Sequence, residues 1–209
     1  MKRCALLLAA TCLVAALPAA AEEEEAPYGA LWVGPRVGGG LGINGPRGGY
    51  FAGLELRYDS PLYFTYALEV GFLHLLPHTI AVPQTADESG TVVAPEHDVR
   101  LKGLFGVPIT LEIGLRVPVG RARLRAGVGI GAMFTTQIVE GSKEDDRESI
   151  GSFCFRPTVG LDVPIGRQSG LVRFDVAYLW QQAEFDQTGS NHDVDTVLLT
   201  IGYSWRLYP

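Results

Sequence analysis

Cysteine is scarce in this chain: Cys4, Cys12 and Cys154 are its three cysteines in 209 residues. The first two fall in a leader-like stretch. Beyond it Cys154 stands alone, and a lone thiol makes neither an internal disulfide nor a metal site. It reads as a buried, inert small hydrophobe. Positive charge is short as well. Seventeen Lys and Arg face twenty-three Asp and Glu, for a net charge of −6. That balance excludes the basic stripe that nucleic-acid binding requires. Helical periodicity is missing too, with no convincing amphipathic helix. No apolar run after the leader approaches the ~20 residues of a spanning helix. The charge-free stretch 126–139 is rich in Gly and Thr. If this chain meets a membrane, it does so without helices.

What is present begins with residues 1–21, MKRCALLLAATCLVAALPAAA. A basic start, a short apolar stretch and the Ala19-Ala20-Ala21 site describe a cleaved secretory signal peptide. A membrane anchor fits worse, because the apolar run is short and Pro18 interrupts it. A lipid-modified Cys12 fits worse too, since Ala9-Ala10-Thr11 before it lacks the usual leucine. Residues 22–30 follow as an acidic segment headed by Glu22–Glu25, expected to be solvated and flexible. Residues 31–209 have the length of one domain.

Within that domain the dominant period is two, the mark of strands. Eight are expected, over 31–43, 50–58, 62–75, 98–117, 121–138, 152–165, 171–184 and 194–207. Longer connections alternate with short turns. The gaps at 44–49, 76–97, 139–151 and 185–193 are the longer ones, and 59–61, 118–120 and 166–170 are short. In an up-and-down arrangement every longer loop collects at one end. That asymmetry belongs to outer-membrane barrels, whose short turns and both termini lie in the periplasm.

Sorting each strand by parity separates two faces. One is apolar, as in Leu124, Ala126, Val128, Ile130, Ala132 and Phe134, and within the expected spans only Glu184 and Asp195, at strand ends, put an Asp, Glu, Lys or Arg on it. The other carries the charge: Arg36, Glu55, Arg57, Glu69, Arg100, Lys102, Glu112, Arg116, Arg121, Arg123, Arg125, Arg156, Asp162, Arg173, Asp175 and Arg206. Glycine supplies much of the remainder. Volume decides which face is inside. The interior of an eight-stranded barrel is just wide enough for side chains to fill. More than a dozen aromatics on the apolar face would not fit there, whereas glycines and paired charges would. The apolar face therefore points at lipid, and closure satisfies the backbone as hydrocarbon demands. A lipid-facing arginine costs about 2–4 kcal/mol at the midplane, so Arg121, Arg123 and Arg125 cannot share that side. Tyr58, Tyr203 and Trp205 at one end, and Phe153, Tyr178 and Trp180 at the other, are candidate aromatic girdles. The rival is a secreted soluble β-sandwich. Strands well beyond the ~5–6 residues usual in soluble sheets, and glycine on the polar face, speak against it.

The stretch GVPITLEIGLRVPVGRARLRAGVGIGAMF, 106–134, resembles the bacterial outer-membrane β-barrel domain family, which includes small eight-stranded barrels of the OmpA/OmpX type. The match lies in Val107-Pro108, the Pro118-Val119-Gly120 turn and the glycine-rich Gly127-Val128-Gly129-Ile130-Gly131. A second such turn is Pro164-Ile165-Gly166. The resemblance implies the outer membrane of a Gram-negative bacterium, with outer-membrane lipid, lipopolysaccharide and the barrel-assembly machinery as partners. A monomer is expected. One departure stands out: such chains usually end on an aromatic residue, and this one ends YSWRLYP.

For chemistry, the candidates are His74, His78, His97 and His192, in or beside the longer loops. Ser89, Ser149, Ser152 or Ser190 would be the nucleophile and Glu96, Asp98 or Asp193 the orienting acid. No nucleophile motif surrounds these serines, so a lipid-modifying enzyme is the runner-up and no catalytic, cofactor or metal residue is assigned. The acidic run EGSKEDDRES, 140–149, lacks calcium-loop spacing and reads as a solvated loop. The candidate site is instead an interior polar network of Arg36, Glu55, Arg57, Glu69, Glu112, Arg123, Arg125, Arg156, Asp162, Arg173 and Asp175. It is expected to be a structural salt-bridge network in a filled, polar interior. The expected role is structural or surface-interactive, through the outer loops 76–97 and 139–151.

Overall fold

The computed structural model describes residues 29–43, 48–82, 85–86, 92–94, 97–140, 147–165, 169–185, 190–193 and 195–208. The expected signal peptide, the acidic quartet, Ser89 and Glu96 lie outside the described residues. Eight long strands carry the fold: β1 (Ala30–Gly42), β2 (Gly49–Asp59), β3 (Phe64–Leu75), β4 (His97–Val119), β5 (Ala122–Val139), β6 (Glu148–Ile165), β7 (Gly170–Phe185) and β8 (Thr196–Tyr208). Each pairs antiparallel with the next. β8 then returns to β1, with Arg36 opposite Gly202 and Val37 opposite Ile201. The sheet closes on itself, which abolishes its edges and overturns the β-sandwich alternative. No described helix is long and apolar enough to cross a membrane; the strands are, since ~9–11 tilted residues suffice.

The faces follow the parity of the sequence. Leu54, Leu56, Tyr66, Leu68, Val70, Ile109, Leu111, Ile113, Val128, Ile130, Phe155, Phe174, Val176, Leu199 and Ile201 are all exposed on the outside. A belt this apolar would aggregate in water and suits hydrocarbon. Tyr203 and Trp205 meet edge to face near the short-turn end, and Phe153 and Trp180 do so near the loop end. The turns use local chemistry. Gly120 adopts a positive φ of 62° between β4 and β5, a conformation glycine enters without a Cβ penalty. In the β2–β3 turn, Tyr63 takes φ 65°, while the Leu62 amide donates to Ser60 Oγ at 3.2 Å.

Three features depart from the parity reading. First, β4 carries an irregularity between Leu101 and Gly103 where it pairs with β5. The extra residue is Lys102, and a bulge of this kind moves everything beyond it to the opposite face. Leu101, expected to face lipid, is therefore 1% exposed, whereas Arg100 and Lys102, expected inside, are exposed. Second, the long connection after β3 is not all loop. Strand His78–Val82 pairs back onto His97–Leu101 of β4, and Ser190–Asp193 pairs onto the end of β7. Both pairings prolong the sheet beyond the apolar belt at the loop end.

Third, the interior is polar in only part of its length. Toward the loop end it is filled by Phe51, Leu73, Leu75, Leu104, Met133, Cys154, Ala177, Leu179, Ala183, Phe185 and Leu198. These side chains share inward parity with the charges, so the expectation of a polar interior throughout is corrected. Glycine makes room for them. A Cβ at Gly71 would lie 2.4 Å from the Phe51 ring, and one at Gly106 would lie 2.2 Å from Met133 Cε.

Candidate functional site

Below this apolar layer, toward the short turns, lies the charged layer. Arg36 of β1 stands at its centre. Its Nη1 donates to Glu55 Oε2 at 3.1 Å and to Glu69; its Nη2 donates to Asp175 Oδ2 at 2.8 Å and to Thr200 Oγ1 at 2.9 Å. One guanidinium thus joins strands on both sides of the β1–β8 seam. Arg156 pairs with Glu69 and, at 3.3 Å, with Glu112. Arg125 pairs with Glu112 and Asp175. Arg36, Glu69, Arg156, Glu112, Arg125 and Asp175 therefore form a closed ring of alternating charge across the lumen. A branch leaves it through Glu55 to Arg173, then Asp162, Arg57 and Asp59.

All eleven of these charged groups are buried. Arg57 lies 3.0 Å from Asp59 Oδ1 and 2.9 Å from Asp162 Oδ2. Arg57 Nη2 also donates to Asp59 Oδ2 at 3.5 Å, whereas the approach to Asp162 misses a hydrogen-bond line and holds by charge. Mutual neutralisation is what makes so much buried charge tolerable. Removing one partner of a buried pair costs about 3–5 kcal/mol, although the intact pair adds little over a well-packed apolar substitute. Here too glycine clears space: a Cβ at Gly160 would sit 2.0 Å from Asp175 Oδ1, and one at Gly127 2.8 Å from Glu112 Oε1.

Of the expected network residues, Arg36, Glu55, Arg57, Glu69, Glu112, Arg125, Arg156, Asp162, Arg173 and Asp175 come together in these contacts. Arg123 is half-buried, opposite Asp162 in the β5–β6 register and nearer the short turns. Arg121 is exposed at the turn. Asp59 was missed because DSP reads as turn; its parity with Glu55 and Arg57 was the available signal. Thr200 was missed because a threonine on a strand gives no charge signal.

These features place the chain among known proteins. The family described as outer membrane protein beta-barrel domain matches residues 5–206. The chain belongs to this family. Its barrel is similar to that of Neisserial surface protein A, with TM-score 0.58 and 8% identity over 85% of this chain and 97% of that one. It is also similar to a major outer membrane protein from Thermus thermophilus, with TM-score 0.53 and 16% identity over 84% and 99% of the two chains. At such identities the likeness is one of fold. No curated protein matches the sequence.

Within this outer-membrane barrel, His74 is the histidine whose side chain lies among the described residues. His74 faces outward, stacked on Phe105 with ring centroids 4.4 Å apart and edge-on to Tyr50 at 4.8 Å. It joins the outer aromatic girdle one residue before β3 ends at Leu75, at the edge of the long connection as expected. The side chains of His78, His97, His192, Ser190 and Asp193 lie outside the described residues. Ser149 Oγ is 2.8 Å from Thr136 Oγ1, and Ser152 Oγ accepts from Gln181 Nε2 at 2.6 Å. From the acidic run, Glu140 pairs with Arg100 at 3.0 Å on the outer surface, whereas Glu144, Asp145 and Asp146 lie outside the described residues. No cluster of His, Cys, Asp or Glu suited to a metal occurs among the described residues.

Proposed function

We propose that this barrel is a closed, non-conducting element of the outer membrane whose work is done at its surface. The loops at 76–97 and 139–151 are the surfaces that meet partners outside the cell. The carrying observation is the filled lumen: a closed ring of ion pairs lies below a layer of packed Phe, Leu and Met side chains. Interiors of this size hold side chains rather than a water column. The pairing of His78–Val82 onto His97–Leu101, which lengthens the sheet at the loop end, supports this reading. Outer-membrane lipid and lipopolysaccharide surround the belt, the barrel-assembly machinery inserts it, and the working unit is a monomer.

Two measurements test this reading. Purified protein added to planar bilayers is expected to give no stepwise current above that of protein-free bilayers. An epitope inserted in the 76–97 loop is expected to be stained on intact cells, whereas one in the Gly120 turn stains only after permeabilisation. Steady channel steps, or the reverse staining pattern, would overturn it.

A further inference from the structure

Glu184 and Asp195 are the acidic residues on the lipid-facing parity, and the side chain of Asp195 is among the described ones. Asp195 immediately precedes β8 at the loop end. Leu179 of β7 pairs with Thr196, and Gln182 with Asp193 of the Ser190–Asp193 strand. The same register on both sides puts Trp180 of β7 directly opposite Asp195. On the other flank the Ile43 N–H donates to Asp195 O at 2.8 Å. The carboxylate lies on the outer side, because the hydroxyl of Tyr178, which shares the outward parity of β7 with exposed Phe174 and Val176, donates to its Oδ2 at 2.5 Å.

Asp195 is nevertheless only 7% exposed. Its second oxygen, Oδ1, is buried and has no hydrogen-bond partner among the described residues. The carboxylates of the lumen each face an arginine; this one does not. A buried carboxylate without a counter-charge is destabilising, and a cation supplied from outside removes that cost. The surroundings select the kind of cation. Residues directly opposite on antiparallel strands have Cβ atoms about 4.5–5.5 Å apart, which brings the Trp180 indole within cation–π reach of a charge seated on Oδ1. Phe153 extends the aromatic surface, edge to face with Trp180 at 6.5 Å between centroids. A metal ion is a poor match. It takes several oxygen ligands, and no cluster of His, Cys, Asp or Glu suited to one occurs among the described residues.

We propose that Asp195, Tyr178 and Trp180 form a binding site for an organic ammonium group at the loop-end rim of the barrel. Asp195 Oδ1 supplies the negative charge and accepts the ammonium N–H, a charge-assisted bond stronger than a neutral one. Tyr178 fixes the carboxylate through Oδ2. Trp180 attracts the cation through its ring and packs against the carbon substituents. The site rests on the β7–β8 register alone and goes beyond the role proposed for the loops. Two sources carry the required chemistry: a free amine, or an ammonium borne by a lipid head group at the edge of the apolar belt.

The test is calorimetric titration into the protein folded in maltoside micelles. The probes are ethanolamine hydrochloride and dihexanoylphosphatidylethanolamine, with sodium chloride and dihexanoylphosphatidylglycerol as the matched compounds lacking an organic ammonium. Saturable one-to-one binding of at least one ammonium probe is expected, and none of the matched compounds. Asp195→Asn, which still accepts from Tyr178 but removes the charge, weakens it at least tenfold. Trp180→Leu weakens it severalfold. Tyr178→Phe keeps the ring and retains most of the binding, and Asp98→Asn, an exposed carboxylate elsewhere at the loop end, leaves it unchanged. Tighter binding of the lipid than of ethanolamine identifies a head group as the occupant; equal binding identifies a free amine. No saturable binding of either probe overturns the inference. So does binding indifferent to Asp195→Asn in protein whose heat-shifted gel band shows it folded, or calcium chloride binding at the site more tightly than either ammonium.

Discussion

Arg36 touches more of the lumen than its neighbours do. Its guanidinium reaches Glu55, Glu69, Asp175 and Thr200, contributed by β2, β3, β7 and β8. Arg36→Ala leaves three buried carboxylates facing one another, and the expected loss is about 3–5 kcal/mol. Arg36→Lys keeps the charge and loses the two-pronged geometry, so a smaller loss is expected. Urea unfolding in lipid vesicles, followed by tryptophan fluorescence, orders the three proteins as wild type, Lys, Ala. An alanine variant as stable as wild type would show that the ring does not hold the seam. Most of these partners were legible from sequence because charge at alternate positions survives any plausible register. The pairing itself was not. Arg36 and Asp175 are 139 residues apart, and only the closure of β8 onto β1 brings them together.

At the scale of elements, turns and bulges decide what a strand's period alone cannot. Gly120 has φ 62° and nothing within 4 Å of where a Cβ would be. The cost of Gly120→Ala is therefore purely conformational, about 1–2 kcal/mol, and Gly120→Asn should recover part of it; the same urea unfolding reads both. The Lys102 bulge makes a sharper prediction. In a Cys154→Ala background, Lys102→Cys is expected to react with a membrane-impermeant maleimide and Leu101→Cys to stay unlabelled. Strict alternation demands the reverse. The eight strands and their order were readable because seven turn signals separate eight runs of one period. The bulge was not, because it leaves the hydrophobic alternation of Val99, Leu101 and Phe105 apparently unbroken. The pairing of His78–Val82 onto β4 was hidden for a different reason: a short strand gains its stability from the edge it extends.

For the whole molecule, the controlling fact is that hydrocarbon wets the outside of a closed sheet. The cost of an outward charge must then depend on depth. Ile130→Arg, mid-belt on β5, is expected to lose about 2–4 kcal/mol, and Leu207→Arg at the end of β8 about 0–1 kcal/mol. Both positions are comparably exposed, at 52% and 50%, so a water-facing surface predicts equal and small effects. Equal losses in vesicle unfolding experiments would refute the membrane-spanning arrangement. The filled lumen belongs to this scale as well. It joins an apolar layer and a charged layer end to end, so neither conduction nor solvent access is needed to account for the buried charge.

The amino-acid sequence by itself determined the two faces, the number of strands, and the choice of lipid for the apolar face. Those properties rest on period and side-chain volume, which are local. Tertiary structure alone decided which arginine meets which carboxylate, where along the axis the lumen turns from charged to apolar, and which residues of β4 the bulge reverses. Each of these depends on the registers of strands distant in sequence. A shift of one residue in any of them exchanges inside for outside without altering the pattern along the chain.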